Sequence, residues 1–253
     1  MIATAADEFG ERGVLSQESI LEMRQELLTT LSITQGEAEE LALQLRTVRD
    51  QFAELHMVYQ SGIDEVLTKV TILQREFEAT HEHSPIEHVT SRLKSPESLV
   101  RKIVRLGLEP HVPAVRKTIR DIAGIRITCS FVSDVYWIAS MLERQPDLTI
   151  LQVKDYVAKP KPNGYRSLHL ILEVPIFLSD RTEQVPVEMQ IRTSAMDFWA
   201  SVEHKLSYKY DGEVPTHLRA ELQTAAERAA DMDVQMERLR AELNGSASGT
   251  HRA

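Results

Sequence analysis

The sequence predicts an α/β or α+β core that lies between long helical segments. Apolar residues recur at steps of three and four from 41 to 77 and again from 218 to 243, which is the spacing of amphipathic helices. Between residues 85 and 195, four segments have the β-branched, alternating composition of strands. The predicted order is therefore a helix, a core of strands and helices, and a second helix.

The N-terminal part is predicted to be helical from about residue 15 to residue 77, after a loose start at 1–14. Breaks or kinks are expected at 34–36 and 61–62, where glycine follows polar residues. The apolar positions could form an intramolecular hairpin, an oligomer contact or a face packed onto the core. Packing onto the core is favoured, because a coiled coil requires three or more clean heptads. The positions are Leu41, Leu45, Val48, Phe52, Leu55, Tyr59, Ile63, Val66, Val70, Leu73 and Phe77.

The centre of the chain supplies the predicted strands, which are AGIRITCSFV, LTILQVKDYV, YRSLHLILEVPIF and VPVEMQIRT. Two segments of helical spacing, SPESLVRKIVRLG and VSDVYWIASMLERQ, lie among them. Helical spacing returns after Pro215, and NGSASGTHRA is predicted to be a frayed tail. The apolar positions of this last helix are Leu218, Leu222, Ala226, Ala229, Met232, Met236, Leu239 and Leu243.

The composition excludes several classes of protein. With 253 residues, 42% hydrophobic and 26% charged, the chain has the composition of a globular protein. No apolar run approaches the roughly 18 to 20 residues of a membrane span, and the N-terminus lacks a secretory signal. We therefore expect a cytoplasmic protein with no membrane partner. Cys129 is the only cysteine, which predicts a buried strand thiol and excludes a disulfide framework or a cysteine metal site.

The net charge of −9 argues against indiscriminate nucleic-acid binding, which requires broad neutralisation of phosphates. Basic residues nevertheless gather in SRLKSPESLVRKIVR, VRKTIRDIAGIR and KPKPNGYR. Such clusters could focus a small polyanion into a cleft. Solvated helix faces explain each cluster equally well when that cluster is taken alone.

The first candidate site is a helix start. Ser95 followed by Pro96 predicts an N-cap with proline at the first helical position. Ser98 then lies in the first turn, Lys102 lies one turn further on the same side, and Lys94 precedes the cap. Free amides, a hydroxyl and lysines at a helix N-terminus are suited to a polyphosphate. An ordinary capped helix with exposed lysines is the alternative.

The second candidate is a carboxylate at a strand edge. Asp121 precedes a predicted strand that contains Arg126. Mg²⁺ usually takes one or two carboxylates together with substrate phosphates, so this position suits it. A simple salt bridge between the two residues is an equally good interpretation of this segment alone.

The third candidate is the strand VPVEMQIRT, whose residues alternate between an apolar and a polar face. The polar face carries Glu188, Gln190 and Arg192, opposite Val187, Met189 and Ile191. This polar strip is either the floor of a site or a solvated sheet face.

The fourth candidate is the segment KPKPNGYRSLHL. Lys159 and Lys161 with two prolines form a stiff cationic rim, and Gly164 permits a turn closed to other residues. Tyr165 could present its ring to a base, while His169 could reach a phosphate or be an ordinary core residue. The sequence contains no zinc-ligand spacing and no Walker phosphate loop.

Together these segments resemble a known family. SRLKSPES…K, DIAGIRI, K-P-NGYRSLH, VEMQIRT and MDFWASVEHKLSYKY, in this order and spacing, resemble the RelA/SpoT synthetase domain. The resemblance is closest to the small alarmone synthetases of the RelQ/RelP type and covers roughly residues 52–245. It implies a mixed β-sheet core related to nucleotidyltransferases, flanked by long N- and C-terminal helices. The expected division is a helical extension (1–50), a helical arm (51–84), the synthetase core (85–213), and a C-terminal helix with a disordered tail (214–253).

The resemblance also implies a reaction. The β,γ-diphosphate of ATP would move to the 3′-hydroxyl of GTP or GDP, giving (p)ppGpp and AMP in alarmone synthesis, with Mg²⁺ as cofactor. Asp121 and Glu188 are the expected catalytic and metal-binding residues, and Glu188 could instead deprotonate the hydroxyl. The expected ATP-binding residues are Arg92, Lys94, Ser98, Lys102, Arg105 and Arg126. The expected GTP- or GDP-binding residues are Lys161, Asn163, Tyr165, His169, Gln190 and Arg192.

Further expectations concern regulation and assembly. Bifunctional members of the family add a hydrolase domain with His-Asp metal ligands, and this chain has no His-Asp dipeptide, so we expect synthetase activity only. A homotetramer through the N- and C-terminal helices is expected. Regulation by product or RNA is weakly supported, because His88, Thr90 and Asp197 would line the product cleft, and an imidazole and a carboxylate do not favour a polyphosphate.

Two alternatives stay open at this point. A toxin of the same fold would pyrophosphorylate tRNA or adenosine nucleotides, although the acidic balance disfavours tRNA. The second alternative is a non-catalytic nucleotide- or RNA-binding regulator. Such a protein would not need the carboxylates, the tyrosine and the lysines named above, so their presence disfavours it. The preference among GTP, GDP and GMP and the role of residues 1–50 do not follow from the sequence.

Overall fold

The computed structural model of the protein describes residues 34–81, 83–209 and 215–247. The chain falls into two compact units, one ending at Gln51 and the other beginning at Phe52. The described helices are α1 (Gln35–Thr80), α2 (Pro96–Arg105), α3 (Val112–Thr118), α4 (Val132–Glu143), α5 (Ser194–Lys209) and α6 (Thr216–Ala247). The strands are β1 (His88–Leu93), β2 (Ala123–Cys129), β3 (Thr149–Asp155), β4 (Leu168–Phe177) and β5 (Thr182–Thr193).

The five described strands form one mixed sheet in the order β1-β2-β5-β4-β3. Strands β2 and β5 are parallel, and the other three neighbouring pairs are antiparallel. Because β2 and β5 are parallel and adjacent at the centre, their polar residues lie side by side in register. The predicted α/β class and the four predicted strands are confirmed.

Helix α1 begins at the predicted break around residue 34. The Thr34 hydroxyl accepts a hydrogen bond from the Glu37 amide at 3.3 Å, and the Thr34 amide donates to Glu37 Oε2 at 2.7 Å. This reciprocal pair is a capping box.

The kink predicted at 61–62 is wrong, because α1 continues unbroken through these residues. Gly62 serves packing instead. A Cβ at this position would lie 2.7 Å from Cγ1 of Val185, so glycine allows the helix to approach β5 closely. Ser61 stays helical and donates its hydroxyl to the carbonyl of Met57 at 3.0 Å.

The apolar face of α1 divides into two parts. Tyr59, Ile63 and Val66 are fully buried in the main core, which confirms packing onto the core for the stretch from Leu55 to Phe77. Leu41 and Val48, which belong to the same repeat in the first unit, are exposed. The predictions for 1–33 lie outside the described residues.

Three described elements were absent from the prediction, namely strand β1 and helices α3 and α5. Strand β1 has an exposed polar face and only Val89 and Leu93 partly buried, so its sequence lacks the apolar composition of a central strand. Helix α3 is only seven residues long, too short for a helical period to be recognised. Helix α6 also extends to Ala247, although residues 244–253 were predicted to be a frayed tail.

The remaining features of the core agree with the sequence. Cys129 is completely buried at the end of β2, and burial raises the pKa of its thiol. Within the part of the chain that the structure describes, no helix is long and apolar enough to cross a membrane.

Candidate active site

One face of the sheet carries a continuous band of polar side chains. Residues directly opposite one another on neighbouring strands share a face, so the register groups them into rows. One row consists of Thr90, Arg126, Gln190, His169 and Lys154. The adjacent row consists of Arg92, Gly124, Glu188 and Ile171.

The opposite face of β5 is apolar. Val187, Met189 and Ile191 are all fully buried, as the alternating sequence predicts. The polar face is recessed at β1, β2 and β5, where a cavity of about 150 Å³ forms. Glu188 and Gln190 of the polar strip therefore line a cavity, whereas Arg192 is not among the residues that line it. Its lining residues are Thr90, Ser91, Arg92, Gly124, Ile125, Arg126, Glu188 and Gln190.

Helix α2 begins as predicted next to this face. The Ser95 hydroxyl accepts a hydrogen bond from the Ser98 amide at 3.3 Å, and Pro96 occupies the first turn. The Ser98 hydroxyl in turn accepts from Ser95 Oγ at 3.1 Å and from Arg101 Nη2 at 3.2 Å. The helix start thus presents a hydroxyl and a guanidinium. The predicted free amides are not found at Ser98 and Leu99, because the Ser98 amide donates to Ser95 Oγ and the Leu99 amide donates to the Ser95 carbonyl.

Asp121 joins the two lysines of the predicted phosphate site. Its Oδ1 lies 2.6 Å from Lys102 Nζ, and its Oδ2 lies 3.2 Å from Lys94 Nζ. Partial burial favours the neutral carboxyl, but the hydrogen bond and charge of Lys102, and then those of Lys94, outweigh it. The pKa of Asp121 consequently lies below its ordinary value, and the carboxylate is ionised at neutral pH.

Arg105 does not join this group in the structure. It is exposed at the last position of α2, and no ion pair or hydrogen bond connects it to Asp121 or to the lysines within the described residues. Arg101, which the sequence analysis did not select, lies beside Ser98 instead. The i, i+3 spacing of Ser98 and Arg101 on a helix is the signal that could have identified it.

Glu188 is the second carboxylate of the site. Its Oε1 lies 3.5 Å from His169 Nδ1, and its Oε2 accepts a hydrogen bond from Gln190 Nε2 at 3.1 Å. Burial favours the neutral form, but the hydrogen bond and charge of His169 outweigh it, so the pKa of Glu188 is lowered. The charge of Asp121 acts in the opposite direction and raises the pKa slightly.

A second cluster of charges lies one row further along the sheet. Asp197 Oδ1, on α5, lies 3.2 Å from Arg126 Nη1 and 3.1 Å from Arg192 Nη1. Arg192 is only 4% exposed. Burial, followed by the neighbouring charge of Arg192, lowers the pKa of Arg126. The Nε groups of both arginines are buried without a hydrogen-bond partner among the described residues.

The expectation that Asp197 lines a product cleft with His88 and Thr90 stays a prediction. The Asp197 carboxylate is engaged by Arg126 and Arg192. His88 and Thr90 are exposed on β1. Arg92, two residues beyond Thr90, extends across Gly124, where a Cβ would lie 3.5 Å from its Cγ.

Residues 156–167 form a loop at the end of the polar face. Asp155 Oδ1 accepts hydrogen bonds from the amides of Val157 and Ala158, both at 2.9 Å, which fixes the start of the loop. Gly164 has a φ of 86°, in the left-handed region, and its amide donates to the Lys161 carbonyl at 2.8 Å. The turn that the sequence predicts at this glycine is thus formed.

Tyr165 connects this loop to the sheet. Its hydroxyl lies 2.7 Å from His169 Nε2 and accepts a hydrogen bond from Arg192 Nη2 at 2.5 Å. Its ring meets that of Tyr156 edge-on, with centroids 6.0 Å apart. Lys161 Nζ lies 4.6 Å from the Tyr156 ring centroid and 4.8 Å from that of Tyr165.

The remaining predicted residues complete this end of the site. Asn163 Oδ1 accepts a hydrogen bond from the Tyr165 amide at 3.2 Å, so it holds the turn, while its side chain stays exposed. Gln190 Oε1 accepts from Arg192 Nη2 at 2.8 Å. Tyr156 was not selected from the sequence, because it comes directly after the apolar and charged residues of β3 without any distinguishing pattern. Lys159 is exposed at the outer edge of the loop.

Comparison with known proteins gives three related findings. Residues 91–213 match the family described as a region found in RelA / SpoT proteins. GTP pyrophosphokinase YwaC from Bacillus subtilis (strain 168) is 48% identical over 200 residues, which cover 79% of this chain and 95% of that protein. GTP pyrophosphokinase YjbM from the same organism is 38% identical over 193 residues, 76% of this chain and 90% of that protein.

Solved structures show the same relationship. The crystal structure of small alarmone synthetase 1 from Bacillus subtilis bound to its product pppGpp has a TM-score of 0.71 and 38% identity. The alignment covers 76% of this chain and 97% of that one. Small alarmone synthetase 2 from the same organism has a TM-score of 0.70 and 47% identity, with 76% and 98% of the two chains covered.

Proposed function

The chain belongs to the family of RelA/SpoT small alarmone synthetases, and we propose that it makes (p)ppGpp by transferring the β,γ-diphosphate of ATP to the 3′-hydroxyl of GTP or GDP. The relatives named GTP pyrophosphokinase match over most of both chains, which supports the same activity here. The observation that carries the proposal is the placement of two ionised carboxylates, Asp121 against the lysines of the helix start and Glu188 against the histidine that contacts Tyr165.

The ATP side of the site is proposed to be the cationic cluster. Lys94, Lys102 and Ser98 surround the helix start next to Asp121, where they would bind the phosphates. Arg92 and Arg126 line the cavity from neighbouring strands and would hold the adenine between them. The two lysines form ion pairs with Asp121. Substrate phosphates would compete with that carboxylate for the lysines.

The GTP or GDP side is proposed to be the 156–167 loop with its neighbours on the sheet. Tyr165 is half-buried and would stack on the guanine with the part of its ring that faces solvent. Lys161 and Asn163 are exposed on the same loop and could reach the nucleotide. His169, Gln190 and Arg192 form a hydrogen-bonded support behind Tyr165.

The transfer itself requires few chemical groups from the protein. The 3′-oxygen attacks the β-phosphorus of ATP, the bond from that phosphorus to the α,β-bridging oxygen breaks, and AMP leaves with the electron pair. Glu188 is ionised and is proposed to accept the proton of the 3′-hydroxyl. His169 and Gln190 hold one carboxylate oxygen each and thereby orient it. Positioning and charge neutralisation supply most of the rate enhancement in such reactions.

The donor set fits a Mg²⁺ ion. Asp121 and Glu188 both have a lowered pKa and therefore present charged oxygen donors at neutral pH. No group of three or more acidic, histidine or cysteine side chains that could hold a metal occurs among the described residues, so substrate phosphates would complete the coordination. When bound, Mg²⁺ would neutralise the charge that develops on the transferred phosphates.

The assembly and the division of the chain are also proposals. We propose residues 85–213 as the catalytic core, flanked by the arm at 51–84 and the segment from 214 onward, in a cytoplasmic homotetramer. Large apolar side chains exposed on α6, among them Met232, Val234 and Leu243, support a helix-mediated contact between subunits. Light scattering of the purified protein at several concentrations would test the tetramer.

The function is tested by product analysis. The purified protein is incubated with γ-labelled ATP, Mg²⁺ and one of GTP, GDP, GMP, ATP or tRNA, and the products are separated by chromatography. We expect labelled pppGpp or ppGpp with GTP or GDP. Label in tRNA or in an adenosine product alone would assign the chain to another acceptor class, and no labelled product would refute synthetase activity.

A further inference from the structure

Helix α6 packs so closely against the 156–167 loop that no side chain fits between them at Gly164. A Cβ at Gly164 would overlap the Cβ of Ala226 and lie 3.1 Å from Gln223 Oε1. Ala226 is 5% exposed and is thus buried by this contact and its neighbours. Glycine is required at 164 both for its positive φ and for the proximity of the helix.

Tyr165 shares this contact with the helix. It packs against a small apolar cluster made of Trp199, Ala200 and Ala226, which is separate from the main core. The residue next to the turn therefore packs against the cluster that contains the alanine limiting the turn. A displacement of Ala226 would be transmitted to the tyrosine through both its backbone and its side chain.

The helix is anchored to the core on both sides of Ala226. Before it, the Leu222 carbonyl accepts a hydrogen bond from Trp199 Nε1 at 2.9 Å. After it, Asp233 is 4% exposed and accepts from the Thr193 hydroxyl at 3.0 Å. Ala226 lies between these two bonds, which hold its part of the helix in place.

A third anchor lies further along α6. Arg240 Nη1 lies 2.7 Å from the buried carboxylate of Asp134. Glu237 accepts hydrogen bonds from the amide of Ser133 at 3.1 Å and from its hydroxyl at 2.7 Å. Helix α4 has no side-chain cap of its own, and Glu237 supplies one from α6. The whole helix is therefore docked independently of the loop.

We propose that Ala226 is a positioning residue for the acceptor nucleotide, which it affects by fixing the turn at Gly164 and the ring of Tyr165. The inference rests on the proposed function, because it requires Tyr165 to bind the acceptor base. Ala226 itself does not touch the substrate. Its size sets the distance between the helix and the loop, and a displacement of about 1 Å at a binding group can reduce rates by roughly a hundredfold.

The test enlarges the side chain. Ala226→Leu should raise the KM for GDP about tenfold, within the range that stacking on an aromatic ring provides, and leave the KM for ATP nearly unchanged. Ala225→Leu is the matched control, because Ala225 is the exposed neighbour on the same helix and should leave both values unchanged. Thermal unfolding of both variants reports on structural damage.

A double variant distinguishes positioning from general disturbance. In a Tyr165→Ala background, Ala226→Leu should have a smaller effect on the KM for GDP than in the wild-type protein, because the ring that it displaces is gone and only the turn with Lys161 and Asn163 is still affected. If Ala226→Leu does not fold, Ala226→Gly with Ala225→Gly as its control decides the matter. Loss of the Ala226 methyl contact should then raise the KM for GDP several-fold more in Ala226→Gly than in Ala225→Gly. The KM for ATP should be the same in both variants.

The outcomes separate the two levels of the proposal. A wild-type protein that transfers no diphosphate refutes the proposed function, and this inference fails with it. If the wild-type protein is active, an unchanged KM for GDP in the Ala226 variants overturns the inference alone. Equal increases for ATP and GDP, or full additivity with Tyr165→Ala, would also overturn it.

Discussion

Tyr165 and Glu188 are joined through a single imidazole. Nε2 of His169 lies 2.7 Å from the Tyr165 hydroxyl, and Nδ1 of the same ring lies 3.5 Å from Glu188 Oε1. The residue proposed to bind the acceptor base is therefore connected to the residue proposed to activate the acceptor hydroxyl. This connection links the position of the acceptor nucleotide to the orientation of the Glu188 carboxylate.

Glu188→Gln should reduce synthesis by about 10² to 10⁴-fold, the usual contribution of a general base, without a large loss of stability. The substitution removes the charge and keeps the shape. The change is measured as kcat with ATP and GDP. Glu143→Gln, at an exposed position at the end of α4, is the control and should behave like the wild-type protein. Near-normal turnover of the Glu188 variant would contradict the assigned role.

The pKa of Glu188 also predicts a direction for the pH dependence. Because the pKa is lowered in the folded protein, the carboxylate stays ionised to below its ordinary range. Its contribution to stability is present above the unfolded pKa and is lost as the pH falls through the folded pKa. The acidic limb of kcat/KM should therefore lie below pH 4.5, the ordinary value for glutamate, provided that the protein stays folded. A limb well above that value would indicate that another group titrates.

Asp121→Asn should also abolish most of the activity, and additional Mg²⁺ should not restore it fully. The amide cannot supply a charged oxygen, and Lys94 and Lys102 lose their shared counter-charge. The measurement is a Mg²⁺ titration of the rate for the variant and for Asp231→Asn, an exposed control on α6. Full recovery at high Mg²⁺ would mean that the carboxylate only raises metal affinity.

Tyr165→Ala should raise the KM for the acceptor by about ten- to a hundredfold, since base–aromatic stacking contributes roughly 1 to 3 kcal/mol. Affinity for ATP should hardly change. Tyr165→Phe keeps the ring but removes the hydroxyl that contacts His169 and Arg192, so it should retain much of the acceptor binding. Separate titration of each nucleotide checks this, and an ATP defect as large as the acceptor defect would contradict the stacking role.

Removal of residues 1–50 should leave a folded and active protein. The second compact unit begins at Phe52, and the buried face of α1 begins at Leu55. Activity and light scattering of the truncated chain test this expectation. An insoluble or inactive product would place the extension within the catalytic unit or the subunit contact.

Local patterns were sufficient to predict much of the fold and site. The Ser95-Pro96 pair fixed a helix start, and the alternation around Glu188 identified which face of β5 would be polar, because both features depend on neighbours in sequence. Strand β1 was missed because an edge strand with an exposed face carries little apolar signal. Gly62 was mistaken for a kink, since its reason is contact with the distant Val185.

Contacts between distant segments account for the other differences. Asp197 binds Arg126 and Arg192 only because α5 follows β5 and returns its first turn over the sheet. The contact between Gly164 and Ala226 likewise joins a loop to a helix far along the chain. No periodicity within either segment contains this information, so the sequence alone predicts the residues but not their partners.

The most direct test of the proposed reaction is ³¹P NMR of a mixture of the protein, ATP, GDP and Mg²⁺. Transfer of the β,γ-diphosphate predicts that AMP and a guanosine 3′-diphosphate appear together in equal amounts while ATP disappears. Omission of GDP should stop both signals. Formation of ADP, or of AMP with free pyrophosphate and no guanosine 3′-diphosphate, would contradict the account.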